Sequence, residues 1–359
     1  MSRFMRDVEQ TLGRGPFRAC LLAVAAGIVA FAWGTLGGNA PRTFGALIAS
    51  WLFFAGAAMG ALAFTAVLEL SGARWAARLS APASALTGFV PLAMVLLILI
   101  VAGLASWAPW FDRVSPGQAF WLGVPFFAAR ELLGSVALFG FAYLGMRRGG
   151  GAVPEAREPR SSRTLVAFCL LFAVVLSCWA FDFILGPDPE WSSTLIGPHL
   201  FVGAAASGAS MITLLGLASG RLEHKLRRDL GALVLTMSVL WGYLFWSQFL
   251  PIWYGNLPSE IAFVLRRMTG AWRFEAALVV LLSFVVPFVL LLGSRGKASA
   301  RALAVATVAQ LLGVWLERHL LVLPSLGLAG AGPFDLCGAL VALGTLGAFV
   351  LTTARSRAA

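Results

Sequence analysis

The sequence predicts an all-α integral membrane protein with ten transmembrane helices. Of its 359 residues, 59% are hydrophobic and only 12% are charged, whereas charged residues make up about 25% of an ordinary soluble domain. The mean hydropathy of the chain is +0.85. A helix needs about 20 mostly apolar residues to cross the hydrocarbon core of a membrane, and the sequence contains ten such runs between its charged segments.

The ten predicted spans cover the chain from the N-terminal tail almost to the C-terminus. They are residues 19–36, 44–70, 83–104, 119–146, 165–185, 195–219, 230–253, 274–292, 302–323 and 334–351. The first span follows a basic tail, but its apolar run is longer than the ~7–15 residues of a signal peptide. We therefore predict that it is a retained membrane helix.

The distribution of positive charge predicts the orientation of the helices. Most of the 27 Lys and Arg residues lie in the N-terminal tail, in the loops after the second, fourth, sixth and eighth spans, and in the C-terminal tail. The positive-inside rule then predicts that both termini are cytoplasmic. The net charge of +11 follows from this asymmetry and favours contact with anionic lipid, so it gives no reason to expect nucleic acid binding.

The sequence also predicts two similar halves. The small-residue segment FAGAAMG at 54–60 in the second span is similar to FVGAAAS at 201–207 in the sixth. Val-Pro-Phe begins at Val124 in the fourth span and again at Val286 in the eighth. Both pairs lie four spans apart and run in the same direction, which predicts a parallel repeat of two four-helix bundles with one flanking helix at each end. Small residues at these positions also suit close helix packing.

This repeat divides the chain into five segments. The predicted segments are 1–43, the N-terminal tail and first helix; 44–146, helices 2–4 of the first bundle, which the fifth helix completes; 147–163, a cytoplasmic linker; 164–323, the fifth helix and the second bundle of helices 6–9; and 324–359, the tenth helix and C-terminal tail. The linker is assigned from the sequence GGGAVPEAREPRSSR, in which Gly, Pro, Ser and charged residues predict a flexible connection.

The cysteine and histidine patterns exclude several cofactors. The four cysteines stand alone in apolar spans, without CxxC or zinc spacing, so we predict that the chain itself holds no iron–sulfur cluster, haem c or metal. These cysteines are Cys20, Cys169, Cys178 and Cys337. His199 and His319 are the histidines within predicted spans. One haem b between them is geometrically conceivable, but two isolated histidines are a weak signal of ligation.

Ionisable residues inside the predicted spans are candidate functional groups, because each costs at least ~2.5–3.5 kcal/mol at a helix centre unless it is paired or hydrated. They are Arg130 and Glu131 in the fourth span, Asp182 in the fifth, and Glu317 and Arg318 in the ninth. Neighbours such as Arg130 and Glu131 do not face each other on a helix, so each is expected to have a partner elsewhere in the bundle. Arg130 is predicted to lie deep, about eleven residues from the outer end of its span.

Other polar residues are predicted to gather near the outer face. Asp182, His199, Gln248, Glu317 and His319 each fall within about two turns of this face, which predicts that they line one outer-facing cavity.

These groups allow two interpretations. In one, Arg130 and an acid such as Asp182 form a buried pair that fixes bundle packing. In the other, acids, histidines and an amide at one face bind a quinol headgroup or carry protons, because a quinol that is oxidised releases protons to His or carboxylate acceptors within hydrogen-bond reach. The second interpretation makes Asp182, His199, Glu317 and His319 candidate catalytic residues, and Arg130, Glu131, Gln248 and Arg318 candidate quinol or proton-path residues.

Three segments of the chain resemble one family. The segment at 181–194, FDFILGPDPEWSST, is similar to that family's "DW…DP.W.ST" segment. The segment at 247–260, SQFLPIWYGNLPSE, is similar to its "FSQ…IWYGN.PEE" segment. Residues 126–130 are similar to its "FF..R" helix. Over about residues 125–324 the chain resembles the NrfD-like membrane subunits of alternative complex III, a quinol:cytochrome c oxidoreductase. Among these it is most similar to the ActF-type member, quinone-binding subunit 2.

The resemblance implies a subunit of a respiratory quinol:cytochrome c (or oxidase) oxidoreductase complex in the bacterial inner membrane. It implies that this chain binds no cofactor, that quinol or menaquinol is the substrate, and that haem c and iron–sulfur clusters belong to partner subunits, alongside a sister NrfD-like subunit. It places Trp253, Tyr254, Asn256 and Glu260 where a periplasmic partner docks. An aromatic belt at the membrane surface is the alternative for this segment.

The chain departs from the family at Phe183, where the family has Trp, and at Glu190 before Trp191. A proton path or a scaffold role therefore stands beside quinol binding. Outside this class, the alternatives are the membrane anchor of a polysulfide-reductase-like molybdoenzyme and a secondary transporter. Molybdopterin in partner chains would distinguish the anchor, and inverted repeats with Gly- or Pro-broken helices near the membrane centre would distinguish the transporter.

Overall fold

The structure is a computed structural model, and it describes residues 3–73, 75–112, 117–146, 161–220, 222–328, 332–333 and 335–358. Within these ranges the regular elements are helices and no strand occurs, which confirms the all-α fold class. Most of the predicted linker, residues 147–160, and Phe334 at the predicted start of the tenth span lie outside the described residues.

Ten helical segments of the described chain are long and apolar enough to cross a membrane, as predicted. They are Arg14–Leu36, Ala40–Leu70, Arg78–Ala102, Val124–Gly145, Ser162–Leu185, Ile196–Ala218, His224–Gly255, Gly270–Leu291, Ala300–Leu326 and Leu336–Ser356. Several extend beyond the predicted spans; the seventh, for example, begins at His224 instead of residue 230. The first turns of this helix carry charged residues. The predicted span began after them because it was defined by its apolar run, whereas charged residues are stable in a helix at the membrane surface.

The fourth span is shorter than predicted. A short helix, Ala119–Leu122, precedes Gly123, whose backbone (φ −54°, ψ 126°) separates it from the helix Val124–Phe141. Pro125 lies in the first turn of that helix, where a residue without an N–H group is well accommodated. Arg130 therefore lies within two turns of the start of its helix, nearer the end of its span than the sequence predicted.

The spans pack as two four-helix bundles, the second to fifth spans in one and the sixth to ninth in the other. The second and sixth spans join the bundles. A Cβ atom at Gly60 would lie 2.1 Å from the carbonyl oxygen of Ala204, and one at Gly208 would lie 2.1 Å from the backbone nitrogen of Ala61. The two similar small-residue segments thus meet at the centre of the molecule, because only small residues permit so close an approach.

The first and tenth spans pack against each other, a contact that the sequence did not predict. A Cβ atom at Gly27 would lie 2.7 Å from Cα of Gly344. Phe17 and Leu351 share a small cluster at one end of this pair, so both ends of the described chain lie on one face of the molecule. We call it the terminal face and the opposite one the distal face. The predicted N-terminal tail also contains a helix, Arg3–Leu12.

Candidate functional site

The ionisable residues singled out from the sequence lie in the distal half of their spans, but they form separate clusters. Asp182 lies in the first bundle, His199 pairs with Glu317 in the second, and His319 pairs with Glu275. The prediction of one shared cavity is therefore wrong for Asp182 and His319. Residues 317 and 319 differ in orientation because two residues turn an α-helix by about 200°.

A bidentate ion pair joins the fourth and fifth spans. Arg130 donates from Nε to Asp182 Oδ2 at 2.9 Å and from Nη2 to Oδ1 at 2.8 Å, and the Asp182 side chain is fully buried. Trp121 donates from Nε1 to Asp182 Oδ1 at 2.8 Å, and its backbone oxygen accepts from Nη1 and Nη2 of Arg130, each at 3.2 Å. The predicted Arg130–Asp182 pair is confirmed, and Trp121 is a partner that the sequence did not predict.

An irregular turn positions Asp182 at the distal end of the fifth span. The helix Ser162–Ala180 passes into one π-helical turn, Phe181–Leu185. Such turns shift side chains out of the regular α-helical register and are frequent at functional sites. Phe183 in the same turn is fully buried, with its ring centroid 5.7 Å from that of Trp51. Aromatic packing thus holds the turn that presents Asp182 to Arg130.

Glu131 is buried next to this ion pair. Its carboxyl group interacts with the Asp182 carboxyl and electrostatically with Arg130. Two carboxylates side by side are unfavourable in apolar surroundings. The cluster therefore holds two acids and one guanidinium, one acid more than Arg130 can neutralise.

The second cluster joins the sixth, seventh and ninth spans. His199 Nε2 and Glu317 Oε1 share a hydrogen bond, and Trp241 donates from Nε1 to the same oxygen at 2.8 Å. Arg318 Nη1 lies 2.9 Å from Glu317 Oε2, and Nη2 donates to the backbone oxygen of Leu200 at 3.1 Å. The four side chains are buried. The Arg318 side chain is long enough to turn back to its neighbour in sequence, which helix spacing alone did not predict.

Gly203 makes room for this arrangement. A Cβ atom at residue 203 would lie 2.3 Å from Nη2 of Arg318. The sequence assigned this glycine to helix packing, whereas here it also leaves space for a buried guanidinium.

A cavity of about 80 Å³ lies beside the His199–Glu317 pair. Gln248 also lines it, and both Gln248 Oε1 and His199 Nδ1 are buried without a hydrogen-bond partner among the described residues. The rest of the lining is mostly apolar, with Phe263 and Arg267 contributed by the segment after the seventh span. Three of the five residues predicted to share a cavity therefore do so, and the space is large enough for water.

The segment after the seventh span folds back over the second bundle. Asn256, in the left-handed conformation (φ 47°), follows the end of the seventh helix, and Pro258–Met268 then forms a helix that we call the distal helix. Arg267 of this helix is buried and donates to the backbone oxygens of Leu320 (Nε, 3.1 Å) and Leu321 (Nη2, 2.7 Å). Burial lowers the pKa of Arg267 to about 9. The distal helix thus satisfies carbonyl groups at the end of the ninth span and covers the cavity.

The residues predicted to dock a partner lie at the distal end of the seventh span and in the distal helix. Trp253 and Tyr254 are 60% and 86% exposed. Asn256 is exposed and Glu260 is partly buried. Exposed Trp and Tyr side chains suit a membrane-surface belt as well as a partner, so docking stays a prediction.

His319 forms a separate pair with an acid that the sequence analysis missed. His319 Nδ1 lies 2.7 Å from Glu275 Oε1, and both residues are buried. The rings of Trp272 and Trp315 flank the imidazole, with centroids 5.8 and 6.1 Å away. Glu275 was missed because it lies at the start of the predicted eighth span, where an acid is expected to reach water. Its position just inside an apolar run was the available signal.

Uncharged polar residues continue from the second cluster toward the middle of the membrane. Gln310 accepts from Ser210 Oγ at 2.5 Å and donates to Ser238 Oγ at 2.6 Å, and all three are fully buried. Ser283 is also buried, and its hydroxyl has no partner among the described residues. We call these four residues the Gln310 column. No ionisable group marks this column in the sequence, although Gln310 and Glu317 lie on one helix face about 10 Å apart.

The described residues contain no group of three or more His, Cys, Asp or Glu side chains that could hold a metal ion. The four cysteines are free and partly buried. His199 and His319 each bond a different carboxyl group, which does not favour one haem between them. That this chain binds no cofactor stays a prediction.

The fold and the buried clusters define a polytopic α-helical membrane protein with paired ionisable groups in the distal half of its spans. No family model and no curated protein matches the chain. Its similarity to NrfD-like membrane subunits therefore stays a prediction based on three short segments.

Proposed function

We propose that the chain is an NrfD-like membrane subunit of a respiratory complex that oxidises quinol and delivers electrons to cytochrome c or an oxidase. In this proposal it lies in the bacterial inner membrane with its terminal face in the cytoplasm. Its iron–sulfur and haem c partners bind at the distal face, and a sister NrfD-like subunit lies beside it in the membrane. This chain supplies proton-accepting groups to the complex.

The buried His199–Glu317 pair is the observation that carries the proposal. An imidazole hydrogen-bonded to a carboxylate can accept a proton from a quinol or from water in the adjacent cavity. Trp241 and Arg318 hold the carboxylate in place, so the pair is ordered before any ligand arrives. Gln248 lines the same cavity with an oxygen free to accept a hydrogen bond.

The Gln310 column supports a proton path that leads away from this pair. Buried polar residues inside a membrane are rare and often mark proton or substrate paths. The hydroxyl and amide groups of the column can relay protons or order water molecules that do so. Because Gln310 lies about 10 Å from Glu317 along the helix, water molecules near Ser283 would complete the connection.

The first cluster has a different role in this proposal. Arg130 uses all three of its guanidinium nitrogens on Asp182 and on the backbone of Trp121. This arrangement supports the structural interpretation, in which the ion pair holds the fourth and fifth spans together. Glu131 is buried beside this pair and interacts with the Asp182 carboxyl, which makes it the candidate proton-carrying group of this cluster.

The substitution Glu317→Gln in the intact complex tests the proposal, because it keeps the size of the side chain and removes its proton affinity. We expect quinol-dependent cytochrome c reduction, or the proton release coupled to it, to fall about 100-fold, the lower range for loss of a general base. Glu223→Gln is the matched control, since Glu223 is exposed at the terminal face. Unchanged electron transfer and proton release in an assembled Glu317→Gln complex would contradict the role of this pair.

Purification from native membranes in mild detergent tests the partners. A visible spectrum with reduced haem c bands, together with a co-purifying iron–sulfur subunit, would support the respiratory complex. Molybdopterin in the partner chains would favour the polysulfide-reductase-like anchor instead. A colourless protein that purifies alone would contradict both assignments and favour the transporter.

A further inference from the structure

A second and larger cavity lies between the tenth span and the two bundles. Its volume is about 720 Å³, within the range of about 300–1,000 Å³ typical of small-molecule sites. The lining extends from Asp335 at the distal face to Ala354 near the terminal face. A helix covers that interval in about 28 Å, close to the ~30 Å of a bilayer's hydrocarbon core. The cavity is therefore a groove that crosses almost the whole membrane.

The groove is apolar and accessible from the lipid. Side chains of the second, sixth, ninth and tenth spans form most of its walls. Val308 and Leu312 of the ninth span are 41% and 50% exposed, and Leu343 and Leu346 of the tenth are 51% and 43% exposed. A membrane-dissolved molecule can therefore enter sideways between these two helices.

Polar groups are concentrated at the distal end of the groove. His319 lines this end and is held by Glu275 at 2.7 Å. The ring of Trp315 lies next to the imidazole, at an interplanar angle of 27°. Asp335 is fixed by Arg42, with 3.1 Å between Oδ1 and Nε. This end therefore combines hydrogen-bonding groups with an aromatic plane, the features that a planar polar ring requires.

The terminal end offers less to a headgroup. The polar side chains that line it are those of Thr11 and Thr353, and the Thr353 hydroxyl already donates to the backbone oxygens of Phe349 and Val350, at 2.8 and 3.1 Å. A phospholipid chain is also a poor match to the groove, because it reaches only about half the ~30 Å hydrocarbon thickness from its own leaflet. A single chain that crosses both leaflets, with a polar ring at one end, fits the length and the polarity together.

We propose that the groove binds an isoprenoid quinone or quinol, with its tail along the tenth span and its headgroup beside His319. This inference rests on the proposed quinol-linked function, but it concerns binding at a site separate from the His199–Glu317 cavity. The exposed leucines of the ninth and tenth spans form its entrance from the bilayer.

Photolabelling of the purified complex tests this site. One sample receives a photoreactive azidoquinone with an isoprenoid tail, a second receives phosphatidylglycerol with a photoreactive acyl chain, and mass spectrometry maps the labelled peptides. Ala342→Trp fills the groove, whereas Ala25→Trp adds the same ring to a lipid-exposed position of the first span. We expect the azidoquinone to label the ninth and tenth spans, and Ala342→Trp to lower this labelling about tenfold or more, equivalent to ~1.4 kcal/mol of binding.

Several outcomes would overturn the assignment. Equal labelling of the groove by phosphatidylglycerol would identify it as a site for ordinary lipid. Azidoquinone labelling that Ala342→Trp leaves unchanged would place the quinone elsewhere. The result is separable from the proposed function: groove labelling together with unaltered activity and proton release in Glu317→Gln would leave the quinone site in place and remove the role of the His199–Glu317 pair.

Discussion

His199 and Glu317 lie 118 positions apart in the sequence, yet their side chains share a hydrogen bond inside the second bundle. The acceptor oxygen also receives the indole N–H of Trp241, and Arg318 lies beside the other carboxyl oxygen. Three residues, His199, Trp241 and Arg318, therefore fix the buried carboxylate of Glu317. Because a buried polar group is costly when unpaired, removing one member should disturb the others.

A double-mutant cycle on this pair measures their coupling. We expect His199→Leu to lower the free energy of unfolding by ~1–3 kcal/mol, because Glu317 loses a hydrogen-bond partner while it stays buried. Glu317→Leu should cost more, ~3–5 kcal/mol, because it also leaves the buried Arg318 without its carboxylate partner. The double variant should still be more stable than the sum of the two losses predicts. Thermal unfolding in detergent, followed by tryptophan fluorescence, provides the measurement.

The control for this cycle combines His224→Leu with Glu317→Leu. His224 begins the seventh span at the terminal face, far from Glu317, so the two changes should be additive within about 0.5 kcal/mol. Additivity in the His199–Glu317 cycle as well would mean that the observed hydrogen bond contributes nothing to stability.

The ion pair in the first bundle makes a different prediction. Asp182→Asn removes the bidentate partner of the mostly buried Arg130 guanidinium and leaves Glu131 as the remaining acid of the cluster; breaking a buried pair typically costs ~3–5 kcal/mol. We expect a lower melting temperature, poorer assembly of the complex and slower quinol-dependent cytochrome c reduction. Replacing both partners, as Arg130→Met with Asp182→Leu, should recover part of the stability, because neither member of the pair is left without the other while Glu131 stays buried beside them.

The same double variant separates the two interpretations of the cluster. If the pair only holds the fourth and fifth spans together, the stable double variant should also regain electron transfer. A stable but inactive double variant would show that the charges are needed for activity as well. An unchanged melting temperature in Asp182→Asn would argue against any stabilising role.

The Gln310 column should matter for protons more than for binding. Gln310→Leu keeps the volume of the side chain but leaves Ser210 and Ser238 without their shared partner. We expect proton release to slow about tenfold, equivalent to ~1.4 kcal/mol in the barrier, while the apparent affinity for quinol stays unchanged. Thr236→Val is the control, because its hydroxyl donates to the backbone oxygen of Ala232 in its own helix, on an exposed face. Normal proton release in Gln310→Leu would exclude the column from the path.

Much of the fold could be predicted because a membrane imposes a simple length rule on apolar helices. The ninth span was predicted within a few residues, and the matching small-residue segments around Gly60 and Gly203 indicated the two bundles. Charged helix ends such as the one at His224 were missed, because they lie beyond the apolar run. The contact between Gly27 and Gly344 was also missed, because no local pattern tells a helix which distant helix it will meet.

The candidate site was predictable only in its parts. A charge inside an apolar run stands out in a sequence, and this identified Arg130, Asp182 and Glu317. Which acid meets which base depends on helix rotation and on irregular turns, as the π-helical turn at Asp182 shows. Glu275 and Gln310 were not predicted. Glu275 lies at a span boundary and Gln310 is uncharged, so neither residue interrupts the hydropathy pattern.

Arg267 provides a test of the distal helix and of its pH dependence. Arg267→Met removes the donors to the carbonyl oxygens of Leu320 and Leu321, which should cost ~1–3 kcal/mol for buried acceptors left unpaired. Burial lowers the pKa of Arg267 from its usual value to about 9. At neutral pH the group is therefore protonated in both the folded and the unfolded chain. The stability difference between wild type and Arg267→Met should then be constant from about pH 6 to 8, because no proton is exchanged on unfolding. Above a pH of about 9 the folded chain loses this proton before the unfolded chain does, so the contribution of Arg267 to stability should rise with pH.

Melting temperatures of both proteins at about pH 6, 7, 8 and 10 check the sign, with Arg14→Met, at an exposed position of the terminal face, as the control. A difference that changes between pH 6 and 8 would mean that another titrating group controls the distal helix.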